Sequence, residues 1–109
     1  MKKTVLILLM LALLPLLAFA DGEKAYTLII KDHQFQPAEL KVPAEEKIKI
    51  VIDNQDATPE EFESHDLKRE KVIKGNKQGT VLLGPLKKGE YKFAGEYHEK
   101  TAKGTIIAE

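Results

Sequence analysis

One histidine near the C-terminal end and a group of carboxylates in mid-chain are the side chains whose types and spacing could do chemistry. His98 stands in Gly95-Glu96-Tyr97-His98, and Glu60, Glu61 and Glu63 stand in Pro59-Glu60-Glu61-Phe62-Glu63, with Asp66 three residues further on. Carboxylates with one imidazole make a hard, oxygen-rich set. Such a set suits Fe(II), Fe(III), Mn(II) or Cu(II) rather than Cu(I), which prefers sulfur. Without a cation these acids would repel one another and their carboxyl pKa values would rise. The plainer alternative is a solvated acidic surface, because Lys68, Arg69 and Lys71 lie close enough to pair with Glu61, Glu63 or Glu70. His33, in Lys31-Asp32-His33-Gln34, and His65, beside Asp66, read first as turn or surface imidazoles and only second as ligands.

Other chemistries are poorly served. The chain has no Cys, and its two methionines, Met1 and Met10, both fall in an N-terminal apolar run. Neither thiolate nor thioether is therefore on offer beyond that run. Ser64 lacks the Gly-x-Ser-x-Gly setting of a nucleophile elbow, and no Gly-rich phosphate loop appears.

The elements that must position these residues are strands. Tyr26, Leu28 and Ile30 alternate with Thr27 and Lys31; Ile48, Ile50 and Ile52 alternate with Lys47, Lys49 and Val51; Tyr91 and Phe93 alternate with Lys92 and Ala94. Period-two patterning with β-branched and aromatic residues marks half-buried strands. Val81–Leu83 and Thr105–Ala108 add short strands, and Pro- or Gly-marked turns separate the set. Closely spaced short strands in one small domain imply an all-β Greek-key sandwich of about seven strands. In such a sandwich the loop after Asp56 and the loop after Phe93 meet at one end, drawing Glu60, Glu61 and Glu63 toward Glu96 and His98. Tyr91 and Phe93 read as core, with the tyrosine bonded across a corner. The segment 59–73 is long and charged, and its pattern fits a helical turn or an irregular edge strand equally.

Residues 1–20 read as a secretory leader: Lys2 and Lys3, an apolar run from Val5 to Phe19, then Ala18-Phe19-Ala20 before Asp21. The run is shorter than the roughly 20 apolar residues of a membrane span. No Cys follows it to carry a lipid. The short basic start looks bacterial, which makes the expected destination the periplasm. Residues 21–109 then form a single domain with no internal linker. Without Lys2 and Lys3 the 17 basic residues fall to 15 against 17 acidic ones. A formal charge of −2 is no footprint for nucleic acid or an anionic membrane.

Taken in order, the residues resemble the cupredoxin family. Phe35-Gln36-Pro37-Ala38-Glu39-Leu40-Lys41-Val42 resembles its first strands. Ile52-Asp53-Asn54-Gln55-Asp56 resembles the turn before its first histidine ligand. Gly84-Pro85-Leu86 with Gly89-Glu90-Tyr91-Lys92-Phe93 resembles the approach to its final ligand loop. In that alignment Glu60 stands where the first His ligand belongs, Gly95 where the Cys belongs and about Ala102 where the Met belongs, leaving His98 as the one usual ligand retained. A type 1 copper centre needs its copper–thiolate bond, so the resemblance excludes a blue-copper electron carrier. The stretch from Thr58 to Ile73, together with Gly95-Glu96-Tyr97-His98, is further similar to the EfeO-type and FtrB-type cupredoxin-like proteins of bacterial iron uptake. That resemblance implies a periplasmic accessory that binds copper or iron through Glu60, Glu96 and His98, with Glu61, Glu63 and Asp66 in support. Such a protein would assist Fe(II) oxidation or hand iron to a periplasmic binding protein or a membrane permease. The competing expectation is a metal-free interaction module that uses the charged segment 59–71 as its contact surface.

Overall fold

The computed structural model describes residues 24–109; the expected leader and its cleavage site lie outside the described residues. Nine strands follow in chain order: β1 (Lys24–Lys31), β2 (Gln34–Gln36), β3 (Glu39–Val42), β4 (Ile48–Asn54), β5 (Glu60–Ser64), β6 (Arg69–Ile73), β7 (Gln78–Leu83), β8 (Gly89–Gly95) and β9 (Lys103–Ala108). Among the described residues a single 3-10 turn, Glu96–His98, interrupts them between β8 and β9. The strands form two sheets, ordered β2-β1-β4-β7 and β3-β9-β8-β5-β6. The all-β sandwich expected from the alternating pattern is therefore present, with nine strands rather than about seven. Two short pieces, β2 and β6, account for the excess. Among the described residues no helix is long and apolar enough to cross a membrane.

Alternation sets which side chains fill the sandwich. Ile48, Ile50 and Ile52 point inward from β4, whose neighbours in sequence are half-buried. Leu28 and Ile30 from β1 and Val81 and Leu83 from β7 complete that wall. Phe62, Phe93, Leu40, Val42 and Ile106 face them from the second sheet. Removing such side chains from water contributes about 1.5–3 kcal/mol each. Three phenylalanines close the core: Phe35 meets Phe93 edge-on with centroids 4.9 Å apart, and Phe62 lies 5.1 Å from Phe93. Gly104 makes this packing possible, because a Cβ there would come within 2.3 Å of the Phe93 ring. Tyr91 is half-buried and donates its hydroxyl to the Lys87 carbonyl at 2.7 Å, bracing the turn into β8.

Two parallel pairings, β1 with β4 and β3 with β9, prevent the chain from being a string of hairpins. Parallel neighbours need a crossover, so the chain passes repeatedly between the sheets. The charged segment 59–73 is the β5–β6 hairpin, in register from Glu60 opposite Ile73 to Ser64 opposite Arg69. Its second strand is the outer edge of the five-stranded sheet. The charges of Arg69, Glu70 and Lys71 suit an edge, where they discourage pairing with another chain.

Candidate functional site

The site lies at the end of the sandwich where three connections converge: the β1–β2 turn, the β4–β5 loop and the 3-10 turn after β8. Asn54, the last residue of β4, organises the loop. Its buried amide donates to the carbonyls of Thr58, Ile73 and Lys74 at 2.9, 3.1 and 3.3 Å, and its Oδ1 accepts from the Asp56 amide at 3.0 Å. Those bonds fold residues 55–59 tightly and deliver Glu60 to the start of β5 with its side chain inward.

Glu60 is 1% exposed. A buried carboxylate is costly unless its oxygens are satisfied, and here both are. Oε1 accepts from the backbone amides of Glu61 at 3.0 Å and Tyr97 at 2.9 Å. Oε2 is 2.6 Å from His98 Nδ1, a short contact of the charge-assisted kind. Among the described residues no buried side-chain nitrogen or oxygen lacks a partner. Small residues create the space. A Cβ on Gly95 would come within 2.7 Å of both Glu60 Cδ and Ala102 Cβ, and Ala102 is itself fully buried. Thus the missing Cβ of Gly95 leaves the space that the Glu60 carboxylate fills, with Ala102 packed beside the same gap.

His98 keeps 27% of its side chain exposed. Its ring stacks on that of His33, with centroids 3.6 Å apart and planes 10° from parallel. His33 arrives from the β1–β2 turn, where Asp32 and His33 both take left-handed backbone angles, φ 54° and 58°. The Asp56 carboxylate accepts from both their amides, at 2.8 and 3.0 Å. Burial alone would raise the Asp56 carboxyl, but the His33 and Asp32 amides, with the nearby His33 and His98 rings, outweigh it and hold the group below the usual carboxylate range.

The acids expected to gather around His98 are divided by the alternation of β5. Glu60 faces inward to His98, whereas Glu61 and Glu63 face outward with Glu70 and Glu96. In that outer group Glu63 hydrogen-bonds with Glu96. This bond, with partial burial and the charge of Glu96, pushes its carboxyl up to about 7. Burial and the neighbouring Glu70, Glu96 and Glu60 raise Glu61 as well. Asp66 is occupied elsewhere, accepting from the Lys92 amide at 2.8 Å and tying the β5–β6 turn to β8. His65 and Asp66 line an open groove of about 1070 Å³ on the outer sheet face together with Glu63, Glu96, Lys92 and Lys100. So the structure joins Glu60 and His98, adds His33, and places Glu61, Glu63 and Glu96 in a separate outer group. Asn54, Asp56 and Thr101 were not singled out from sequence; only the Asn54-Gln55-Asp56 turn signal pointed toward the first two.

A type 1 copper ion does not fit this arrangement. Glu60 Oε2 and His98 Nδ1 close directly on each other, Gly95 and Ala102 bring no donor atom, and a methyl group at residue 95 would already collide with the carboxylate. Among the described residues no three or more His, Cys, Asp or Glu side chains converge as a metal cage. What the arrangement offers is an oriented imidazole. A carboxylate accepts, so Nδ1 of His98 carries the hydrogen, and Nε2 is the ring nitrogen that Glu60 leaves for another partner.

Comparison with known proteins agrees with this architecture. The family model of the cupredoxin-like domain matches residues 4–108. An uncharacterized protein of Rickettsia prowazekii (strain Madrid E) is 49% identical over 78 residues, 72% of this chain; the match spans 62% of the relative's own length. Among solved structures, a copper binding protein in its apo form superposes with a TM-score of 0.70 at 19% identity, over 82% of this chain and 90% of that one. Auracyanin A, a blue copper protein from Chloroflexus aurantiacus, does so with a TM-score of 0.68 at 15% identity, over 81% of this chain and all of its own.

Proposed function

This chain belongs to the cupredoxin-like domain family, and on that premise we propose that it handles copper or iron as a cargo ion rather than carrying electrons at a resident blue-copper centre. The observation that carries the reading is the 2.6 Å contact between the buried Glu60 carboxylate and His98 Nδ1. Histidines that bind metals typically donate their second ring hydrogen to a carboxylate or carbonyl, which fixes the ring and raises its basicity. Glu60 does this for His98 from a fully enclosed position, and Nε2 of the half-exposed ring is the ligand left over. Few protein ligands leave open coordination positions, as an ion in transit requires. An imidazole beside oxygen donors accepts Cu(II) and iron alike.

The finer reading follows the resemblance of residues 58–73 and 95–98 to the EfeO-type and FtrB-type proteins. Here the chain is an exported, periplasmic accessory of bacterial iron uptake that presents its ion to a binding protein or a permease. Residues 1–20 support export. A second reading, a metal-free interaction module, draws on the outer face of the β5–β6 hairpin, where Glu61 and Glu70 neighbour Glu63 and Glu96, and the last two border the open groove.

Calorimetric titration of the purified protein with Cu(II) and, anaerobically, Fe(II) separates the two. Stoichiometric uptake with no thiolate charge-transfer band, abolished by His98→Ala and weakened about 10–100-fold by Glu60→Gln, is expected. Equal uptake by the protein and by His98→Ala would overturn the assignment of His98, and no uptake of either ion would favour the interaction module.

A further inference from the structure

We propose that His33 is the second imidazole of the same site, and that Asp56 and Thr101 are the positioning residues that hold it there. The inference rests on the cargo-ion reading above, but the observations behind it are separate.

The turn joining β1 to β2 has only two residues, Asp32 and His33, both left-handed. Two-residue hairpin turns of this kind favour Asn-Gly or Asp-Gly, because the second position is least strained as glycine. A left-handed backbone crowds the Cβ of any non-glycine residue against its own carbonyl. This chain accepts that crowding at His33 and thereby keeps an imidazole where none is needed to make the turn. Glu45, Lys68 and Asn76 take the same backbone region elsewhere in the fold, so what distinguishes this turn is how it is held.

Two long-range clamps then fix the strained turn. Asp56, 24 and 23 residues away in the chain, accepts both turn amides on its two carboxylate oxygens. Thr101, 68 residues away, donates its hydroxyl to the His33 carbonyl at 2.6 Å and also reaches the His98 carbonyl at 3.3 Å. The Thr101 and Ala102 amides also donate to the His98 carbonyl, at 3.1 and 2.8 Å, so Thr101 ties the His33 turn to the turn that carries His98. The result is the parallel stack of the two rings at 3.6 Å. Parallel rings do not aim their lone pairs at one point. With the His33 backbone pinned, rotation about its own side-chain torsions is the movement that turns the stack into a converging pair around an ion. Two imidazoles with water in the remaining positions suit a first-row divalent cation, Cu(II) above all. His33 was hard to recognise in sequence because a lone histidine in a turn has no partner nearby in the chain.

The test is pulsed EPR on the full chain carrying one equivalent of Cu(II), which counts the imidazoles bound to the ion. Two are expected in the unmodified protein. One is expected in His33→Ala and in His33→Gln, each with at least a tenfold weaker Kd, and circular dichroism reports whether each variant is folded. Asp56→Ala should weaken Cu(II) binding severalfold in the unmodified background and leave it unchanged in the His33→Ala background, which a merely structural role would not produce. A single imidazole in the unmodified protein, lost in His98→Ala and unaffected by His33→Ala, would overturn this inference and leave the His98 assignment standing. Coordination that survives His98→Ala would overturn both.

Discussion

At the scale of single residues, Glu60 and Gly95 have to be read together. The carboxylate fills the place that the resemblance reserves for metal ligands, and the absence of a Cβ at residue 95 makes that filling possible. Gly95→Ala should therefore destabilise the protein by about 1–3 kcal/mol, the usual cost of overpacking a tight site, read from urea unfolding midpoints. Gly95→Cys should not produce a blue copper protein, because its Cβ meets Glu60 Cδ and Ala102 Cβ at 2.7 Å. Absorption spectroscopy with added Cu(II) should accordingly show no intense thiolate charge-transfer band. The importance of Glu60 and His98 was legible in the sequence, since one is an acid at a ligand position and the other the single ligand retained. Their direct bond was not legible, because it joins residues 38 apart and depends on how deeply the β4–β5 loop is drawn in.

At the scale of elements, β5 decides what the acids can do. Read as composition, Glu60, Glu61 and Glu63 were one cluster; read as a strand, they belong to opposite faces. The sequence left 59–73 open between a helical turn and an edge strand, and a strand would have made the division visible. On the outer face, Glu63 titrates near 7 in the folded protein, against an ordinary value of 4.5. Between those two pH values the folded state keeps a proton that the unfolded chain has released. Stability consequently falls as pH rises through that window, and the effect is complete above about 7. Thermal melts between pH 4.5 and 7 should show this slope, and Glu63→Gln should flatten it. Equal slopes in the two proteins would mean that the proton is not held by Glu63. Asn54 belongs at this scale too, because one side chain organises the whole loop that delivers Glu60. Asn54→Ala leaves three carbonyls and one amide without their partner, and a loss of about 1–3 kcal/mol is expected, measured by chemical denaturation.

At the scale of the whole molecule, the period-two stretches around Leu28, Ile50 and Phe93 were enough to specify a sandwich. The parallel pairings of β1 with β4 and β3 with β9 were not, since strand order arises from crossovers rather than from any local pattern. The convergence of three connections at one end is a property of that topology. It brings His33, Asp56, Glu60, His98 and Thr101 together from separate parts of the chain. The central claim is that this convergence presents His98 Nε2 as a ligand, with Glu60 holding Nδ1 from within. The most direct measurement is nitrogen NMR of the histidine rings in 15N-labelled protein, before and after one equivalent of Zn(II), a diamagnetic ion that imidazole also binds. The account predicts that His98 begins with hydrogen on Nδ1 and a bare Nε2, and that Nε2 alone shifts to a metal-bound position when the ion is added. An unmoved Nε2 under saturating Zn(II), or a hydrogen found on Nε2 at the outset, would contradict it.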